Sequence, residues 1–478
     1  MSSNENQVVM GPMNGPEDPH PVTILSACKL LGVPLPANAV CKNPPSFYVG
    51  ADVLSGEPEF IKAALGKYLP KAFKDDEEFD KKWKQFNRKF KSQNCLTFTN
   101  TDFTVYFCDW VLYAQDRGFS HNDYFDYELY NKEPDIRDTF INFGYGLRLF
   151  NSCKERPYLK VFREKAQFNT TFKKYVHRDW VDAKTCTFEE FKAFCERHDK
   201  FFAKPTVGTG GAGARVIETA SAPLEELFEI CQAEKMMVEE IVQQHESLAE
   251  FNRGSLNTAR VITLVCADGV PRIIFSVVRF GREGIVVDNF HGGGVGAILD
   301  PETGKIITNA INRVHDKVEE HPDSHKKFLG FQFPEWEKVK AAVLDAATMV
   351  PQMRSIGWDV SVTADGEVEF IEGNSKSGFH LPQEPDQTGR RYKYEKFLKE
   401  IEELKGIKIK EPGPVVLVED RVEKKPAKKK SSTSKNTSSA KKSTVSSEKK
   451  TSTGSKAKQQ KKDQSLIKKV KRFIKKLF

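Results

Sequence analysis

The 478-residue sequence contains no Cys-x-x-Cys pair and no tight cluster of histidines and cysteines. Its nine cysteines are scattered and odd in number, which excludes a disulfide framework and a zinc site of ordinary spacing, and fits thiols kept reduced. Long apolar runs are also missing. The richest, around residues 105–114, is interrupted by Cys108 and Asp109 and falls short of the roughly 20 residues that a membrane-spanning helix needs. The first residues, MSSNENQVVMGPMNGPEDPHP, have neither a basic start nor an apolar segment, so no signal peptide is expected and the chain reads as cytoplasmic. Apolar residues make up only 39%, although the length allows two or three domains with real cores.

Charge is plentiful but segregated. Residues 421–478 hold 21 basic side chains against three acidic ones, net +18, whereas the preceding 420 residues hold 53 basic and 63 acidic, net −10. An acidic body with a basic tail is not a uniformly basic nucleic-acid binder, and no nucleic acid is expected as a partner.

Composition and periodicity divide the chain into a loose N-terminus (1–20), a helical N-terminal domain (21–155), a mixed domain (156–412), a Lys/Ser/Thr-rich linker (413–464) and a final basic amphipathic segment (465–478). In the helical domain Phe79, Trp83, Phe86 and Phe90 fall on one helix face with a basic reverse, the pattern of a core-facing stripe. Beyond residue 158 helices and strands alternate. Thr187 with Glu190 forms a capping box, KFFAKP (200–205) and 236–242 read as strands, and Pro223 opens a helix. Apolar runs 259–266 and 271–280 form a hairpin over Ala267-Asp268-Gly269, 334–350 is helical, and 357–363 and 367–371 form a second hairpin over Ala364-Asp365-Gly366. The fold class is α+β, with helix and strand mixed. The linker has too little apolar content to fold.

Three stretches carry chemistry. Lys204 at a strand end precedes TVGTGGAGAR, where Gly208, Gly210, Gly211 and Gly213 let backbone N–H groups approach anionic oxygens beside a point charge. No GK[ST] and no helix-opening GxGxxG is present, so this is neither a Walker nor a Rossmann loop. MMVEEIVQQHE (236–246) brings Glu239, Glu240, Val242 and Glu246 to a strand end. In GWDVSVTADGEVEFIEGN (357–374), Asp359, Glu372 and Asn374 lie on neighbouring strands, a hard-oxygen set suited to a magnesium ion that also holds phosphates. Each stretch taken alone also reads as an ordinary turn, edge strand or solvated hairpin.

Together and in this order, the three resemble the ATP-grasp superfamily, over roughly residues 110–400. GFSHNDYFDYELY, EEIVQQHESLAEFNRGSLNTAR and GWDV…IEGN look like its sugar-transfer-associated, α-L-glutamate-ligase-related group. The resemblance implies an ATP-grasp fold, with ATP and Mg²⁺ (or Mn²⁺) as cofactors. It assigns Lys165, Lys204 and the glycine loop to the phosphates, and Glu239, Glu240, Val242 and Glu246 to the adenine hinge and ribose. It gives Asp359, Glu372 and Asn374 to the metal, and Arg260 and Arg279 to the transferring phosphoryl group as catalytic residues. Asp288-Asn289-Phe290-His291-Gly292-Gly293-Gly294 is similar to the N-x-H-x-GG of ligases that extend protein C-termini, which assigns Asn289, His291, Gly293 and Gly294 to substrate. Two departures stand out: Gly357 replaces an arginine common two residues before the metal aspartate, with Arg354 further back, and Ser375-Lys376-Ser377-Gly378 replaces the usual PG after the asparagine.

The implied activity is carboxylate–amine ligation through an acyl phosphate, on an amino acid or sugar acid linked to surface-polysaccharide assembly. The alternatives are phosphotransfer on the same fold, or a non-catalytic, membrane-docked ATP-binding module. Partners would be small carboxylates and amines. In SLIKKVKRFIKKLF every position between the apolar stripe residues of 466–478 is Lys or Arg, the pattern of an interfacial helix on anionic lipid, placing the enzyme peripherally at the inner face of the cell membrane.

Overall fold

The computed structural model describes residues 22–33, 53–93, 99–207, 213–285, 288, 290–408, 415 and 417. The loose N-terminus, the final amphipathic segment and all but two residues of the linker lie outside these. Among the described residues no helix is long and apolar enough to cross a membrane.

The chain is mixed helix and sheet, and its described part forms two compact units. One takes in residues 22–178, 206–215 and 241–417, the other 179–205 and 216–240. The smaller unit carries a sheet in the order β1 (Trp180–Asp182), β4 (Met236–Glu239), β2 (Lys200–Pro205), β3 (Arg215–Glu218). Thr187 caps the helix Phe188–Cys195 in the expected box with Glu190, and Phe191, Phe194 and Phe201 fill the core beneath.

In the larger unit the helices up to about residue 153 enclose an aromatic core. The helix Asp76–Lys91 buries Phe79, Phe86 and Phe90, as its stripe predicts. Phe86 meets Phe107, Trp110 and Phe125 at centroid distances of 5.2, 5.2 and 5.0 Å. The apolar run at 105–114 is wholly buried and passes from the α-helix Asn100–Asp109 into a π-helical turn, Trp110–Ala114. Asp109 is not a break there: Arg137 grips it with two bonds of 3.1 and 3.0 Å, and Tyr124 donates to it at 2.6 Å.

The second sheet of this unit runs β11 (Val368–Asn374), β10 (Ser355–Val362), β5 (Thr258–Val265), β6 (Pro271–Phe280), β7 (Val295–Leu299), β8 (Ala310–Ile311), β9 (Lys317–Val318), every pair antiparallel. Both expected hairpins are present. The helix Trp336–Met349 packs on this sheet, and Trp358 on the face opposite the charged residues meets Phe172 and Phe370 at 5.1 and 5.4 Å.

Candidate functional site

Cross-strand register assembles the charged face. Arg260 on β5 opposes Asp359 on β10, and Asp359 opposes Glu372 on β11, so three charged side chains form one row across three strands. A bulge makes this possible. Val360 pairs with Phe370 and Asp359 with Glu372, leaving Ile371 as an extra residue. Side chains alternate between faces, so with Ile371 taken up as an ordinary strand residue Glu372 and Asn374 would turn towards the aromatic face with Phe370. Asn374 then donates to Glu372 at 3.1 Å and to Asp359 at 3.4 Å.

Gly373, between these two, is the contact point for the helices Leu159–Arg163 and Lys165–Thr171. A Cβ there would meet Phe162 at 2.7 Å and Phe168 at 2.8 Å. Gly357 has a related role. A Cβ there would lie 2.8 Å from Cδ of Arg260, so the glycine that replaces the arginine common at this place makes room for an arginine from the next strand. Arg354 serves elsewhere, donating to the carbonyls of Val265 and Cys266 at 3.1 and 2.7 Å.

Asp359 is 2% exposed and takes charge-assisted bonds from both arginines. Arg260 donates through Nε and, at 2.7 Å, through Nη2; Arg279 donates through Nη2 at 2.9 Å. Burial works against the carboxylate, but the two guanidinium groups outweigh it and draw its pKa down to about 2. Arg279 is buried too, which disfavours its charge, and Asp288 and Asp359 more than compensate, raising its pKa. Its Nε lies 3.4 Å from Asp288 and its Nη2 donates to Thr258 at 2.7 Å, while Thr258 in turn donates to Asp288. Burial raises the pKa of Asp288 despite Arg279. Asp288 is the residue that motif reading passed over. Its signal was its place one residue before Asn289, but only the fold brings it to Arg279.

Gly293 has a φ of 113°, and a Cβ on Gly294 would meet the carbonyl oxygens of Asp288 and Phe280 at 2.7 and 2.8 Å. These glycines therefore set the backbone path beside Asp288. Asn289, Gly208, Gly210, Gly211 and the His291 side chain lie outside the described residues.

In the smaller unit Lys204, next to last in β2, forms an ion pair with Glu239 of β4 at 2.7 Å, both nearly buried. The strand that begins at Met236 stops at Glu239 rather than at 242. Glu240 instead exchanges bonds with Asp179, its backbone N–H donating to the Asp179 carbonyl and its carboxylate accepting from the Asp179 N–H, both at 2.9 Å. In the larger unit Lys165 opens its helix and its N–H donates to the Thr206 carbonyl at 3.4 Å. Gly213 has a φ of 79°, Val242 is half-buried, and Glu246 is exposed and paired with Arg253. The structure thus gathers Arg260, Arg279, Asp359, Glu372 and Asn374 in one unit and Lys204, Glu239 and Glu240 in the other.

Among the described residues no group of three or more His, Cys, Asp or Glu is placed to hold a metal ion. Two carboxylates and an amide do converge at Asp359, Glu372 and Asn374, and that oxygen chemistry fits Mg²⁺.

Residues 160–399 match the family described as sugar-transfer associated ATP-grasp. No curated protein matches the chain. Among solved structures, the ATP-grasp ligase PsnB complexed with its minimal precursor is similar at 14% identity over 51% of this chain and 62% of its own, with a TM-score of 0.32. The D-cycloserine synthetase DcsG is similar at 12% over 53% and 73% (TM-score 0.32), and the D-alanine–D-alanine ligase from Coxiella burnetii at 12% over 52% and 60% (TM-score 0.32). The family match takes in half of the chain, and the protein belongs to the sugar-transfer associated ATP-grasp family.

Proposed function

We propose that the protein is a Mg-ATP-dependent carboxylate–amine ligase acting through an acyl phosphate on an amino acid or sugar acid linked to surface-polysaccharide assembly. Membership in an ATP-grasp family supports an ATP-dependent enzyme. The observation that carries the finer reading is the row Arg260–Asp359–Glu372, with Arg279 and Asn374 on the same face.

Asp359, Glu372 and Asn374 would hold Mg²⁺, which when bound neutralises phosphate charge. Arg260 and Arg279 face the same place and stabilise charge on the phosphoryl group as it passes to the substrate carboxylate. An amine then attacks the acyl phosphate, forming the amide and releasing phosphate. Lys165 and Lys204 take the α- and β-phosphates, and the residues around Gly208–Gly213 cover them, keeping water from the labile intermediate. Glu239, Glu240, Val242 and Glu246 hold adenine and ribose. Asn289, His291, Gly293 and Gly294 serve substrate binding. The tail, residues 465–478, docks the enzyme on anionic lipid.

Incubation with ATP, Mg²⁺ and pools of amino acids and uronic acids, followed by mass spectrometry, tests this reading. ADP release that requires both a carboxylate and an amine is expected. ADP release with a phosphorylated product and no amine dependence would replace ligation by phosphotransfer, and no turnover with any pool would favour the non-catalytic module. Co-sedimentation of the full chain, but not of a chain ending at Pro412, with anionic vesicles is the corresponding test of the tail.

A further inference from the structure

The loop leaving β11 carries Ser375-Lys376-Ser377-Gly378 directly after Asn374. Ser377 donates to the Asn374 carbonyl at 3.3 Å, and its Oγ occupies the space a Cβ on Gly357 would need, 2.5 Å away. The loop therefore lies against the strand ends that bear Asp359 and Asn374.

Beside it stands a set of cations. The ammonium groups of Lys154 and Lys376 lie 3.8 and 5.5 Å from the centroid of one ring, Phe150. Partial desolvation, then the charges of Arg156, Lys376 and Arg163, lower the pKa of Lys154, so all four cations share one field. Lys154 donates to Asn151 at 2.6 Å, and among the described residues none of the four has an acidic partner. Arg163 follows Phe162, whose ring packs on Gly373 between Glu372 and Asn374. On the charged face of the sheet, by contrast, the arginines are matched by carboxylates: Arg260 and Arg279 by Asp359, and Arg279 also by Asp288. Unmatched like charges repel, and an anion placed among them removes that repulsion.

We propose that Lys154, Arg156, Arg163 and Lys376 form a subsite for an anionic group, phosphate or carboxylate, carried on an acidic saccharide substrate. This deepens the ligase reading and rests on it for the nature of the substrate. Arg156, Arg163 and Lys376 are exposed. That exposure suits a ligand extending into solvent, and the loop that carries Lys376 leads directly from Asn374.

The test is titration calorimetry on the full chain, with and without Mg²⁺ and a non-hydrolysable ATP analogue. The probes are trigalacturonate (carboxylate), glucose 1-phosphate (phosphate) and maltotriose (neutral). At least one anionic probe should bind, more weakly as salt rises, while maltotriose does not. The variant Arg156→Ala/Lys376→Ala, which removes two exposed side chains, should weaken that binding at least tenfold and leave nucleotide affinity unchanged. The preferred probe tells carboxylate from phosphate. Anionic probes binding no better than maltotriose would overturn the subsite. So would equal binding by the variant, which would assign the affinity to the basic residues beyond 421. Failure of the nucleotide to bind the wild type would instead sink the ligase reading, while the anion comparison without nucleotide would still decide the subsite.

Discussion

The aromatic core of the N-terminal helices and the charged face of the large sheet are built on opposite principles. In the first, Phe86 is fully buried and contacts other rings on several sides, so that no single polar atom matters. In the second, Asp359 is almost as deeply buried, but everything about it depends on which polar atoms face it. Ring packing tolerates small errors of direction. A buried carboxylate between two guanidinium groups does not, because an unmatched charge there costs far more than an imperfect contact. The difference suggests that the helices contribute stability and the sheet face contributes chemistry.

The largest expected effect tests the first half of this contrast. Phe86→Ala should lower unfolding free energy by about 3–5 kcal/mol, measured by urea denaturation, because the surrounding rings cannot close the cavity. A loss under about 1 kcal/mol would mean the core is looser than the ring contacts imply. Next comes the buried pair of the smaller unit. Lys204→Met alone should cost about 3 kcal/mol by removing the cation that faces the buried Glu239 carboxylate, and adding Glu239→Gln should restore most of it. Equal instability of the single and double variants would show that the pair is not coupled. This pairing also means that a fall in nucleotide affinity on removing Lys204 is interpretable only beside the double variant.

On the sheet face, Glu372→Gln is cleaner than any change at Asp359, since it strands neither arginine. It should reduce ATP-dependent ADP formation about a hundredfold or more, equivalent to about 2.7 kcal/mol in the barrier, with the thermal midpoint nearly unmoved. Full activity in this variant would return the hairpin to an ordinary solvated surface. The smallest effect lies where the helices meet the segment after β11. His380 contacts Asp126 at 3.1 Å and Asp123 at 3.5 Å. Burial would lower its pKa, but the bond to Asp126 and the charges of Asp126, Asp123 and Glu384 lift it to about 9. A raised pKa contributes stability that is complete below the unfolded value of about 6.5 and fades as pH climbs through about 9. With the side chain 39% exposed, solvent screening limits this to about 1 kcal/mol at most. The thermal midpoint should therefore fall modestly between those pH values in the wild type and not in His380→Gln. Identical profiles would remove His380 from the account.

Much of this was legible in the sequence, for reasons that differ by residue. Phe79, Phe86 and Phe90 repeat with the helical period, so their burial follows from spacing alone. The strand Lys200–Pro205 and the hairpin of β10 and β11 are bounded by turn residues and fell where their patterns put them. Asp359 and Glu372 could be paired by their separation, but nothing in the letters marks Ile371 as a bulge, because a bulge is a property of two strands together. Asp288 beside Arg279, Gly357 beneath Arg260, and Lys376 beside Lys154 likewise depend on residues 9, 97 and 222 positions apart. Motifs report what is near in the chain, and these arrangements are near only in space.

The extra residue in β11 gives the hairpin an arithmetic of odd and even. Lengthening the turn at Ala364-Asp365-Gly366 changes a loop and leaves both strands in step. Removing Ile371 makes the strand regular and keeps Glu372 and Asn374 on the charged face, since Glu372 would then follow Phe370 directly, whereas removing Gly373 puts Asn374 next to Glu372 and turns its amide towards Phe162 and Phe168. Insertions and deletions in this hairpin should therefore sort by location rather than by size. Changes at the turn or at the bulge leave the facing intact, whereas between Glu372 and Asn374 the loss of even a single residue separates a chain that still contains every ligand from one that can assemble them.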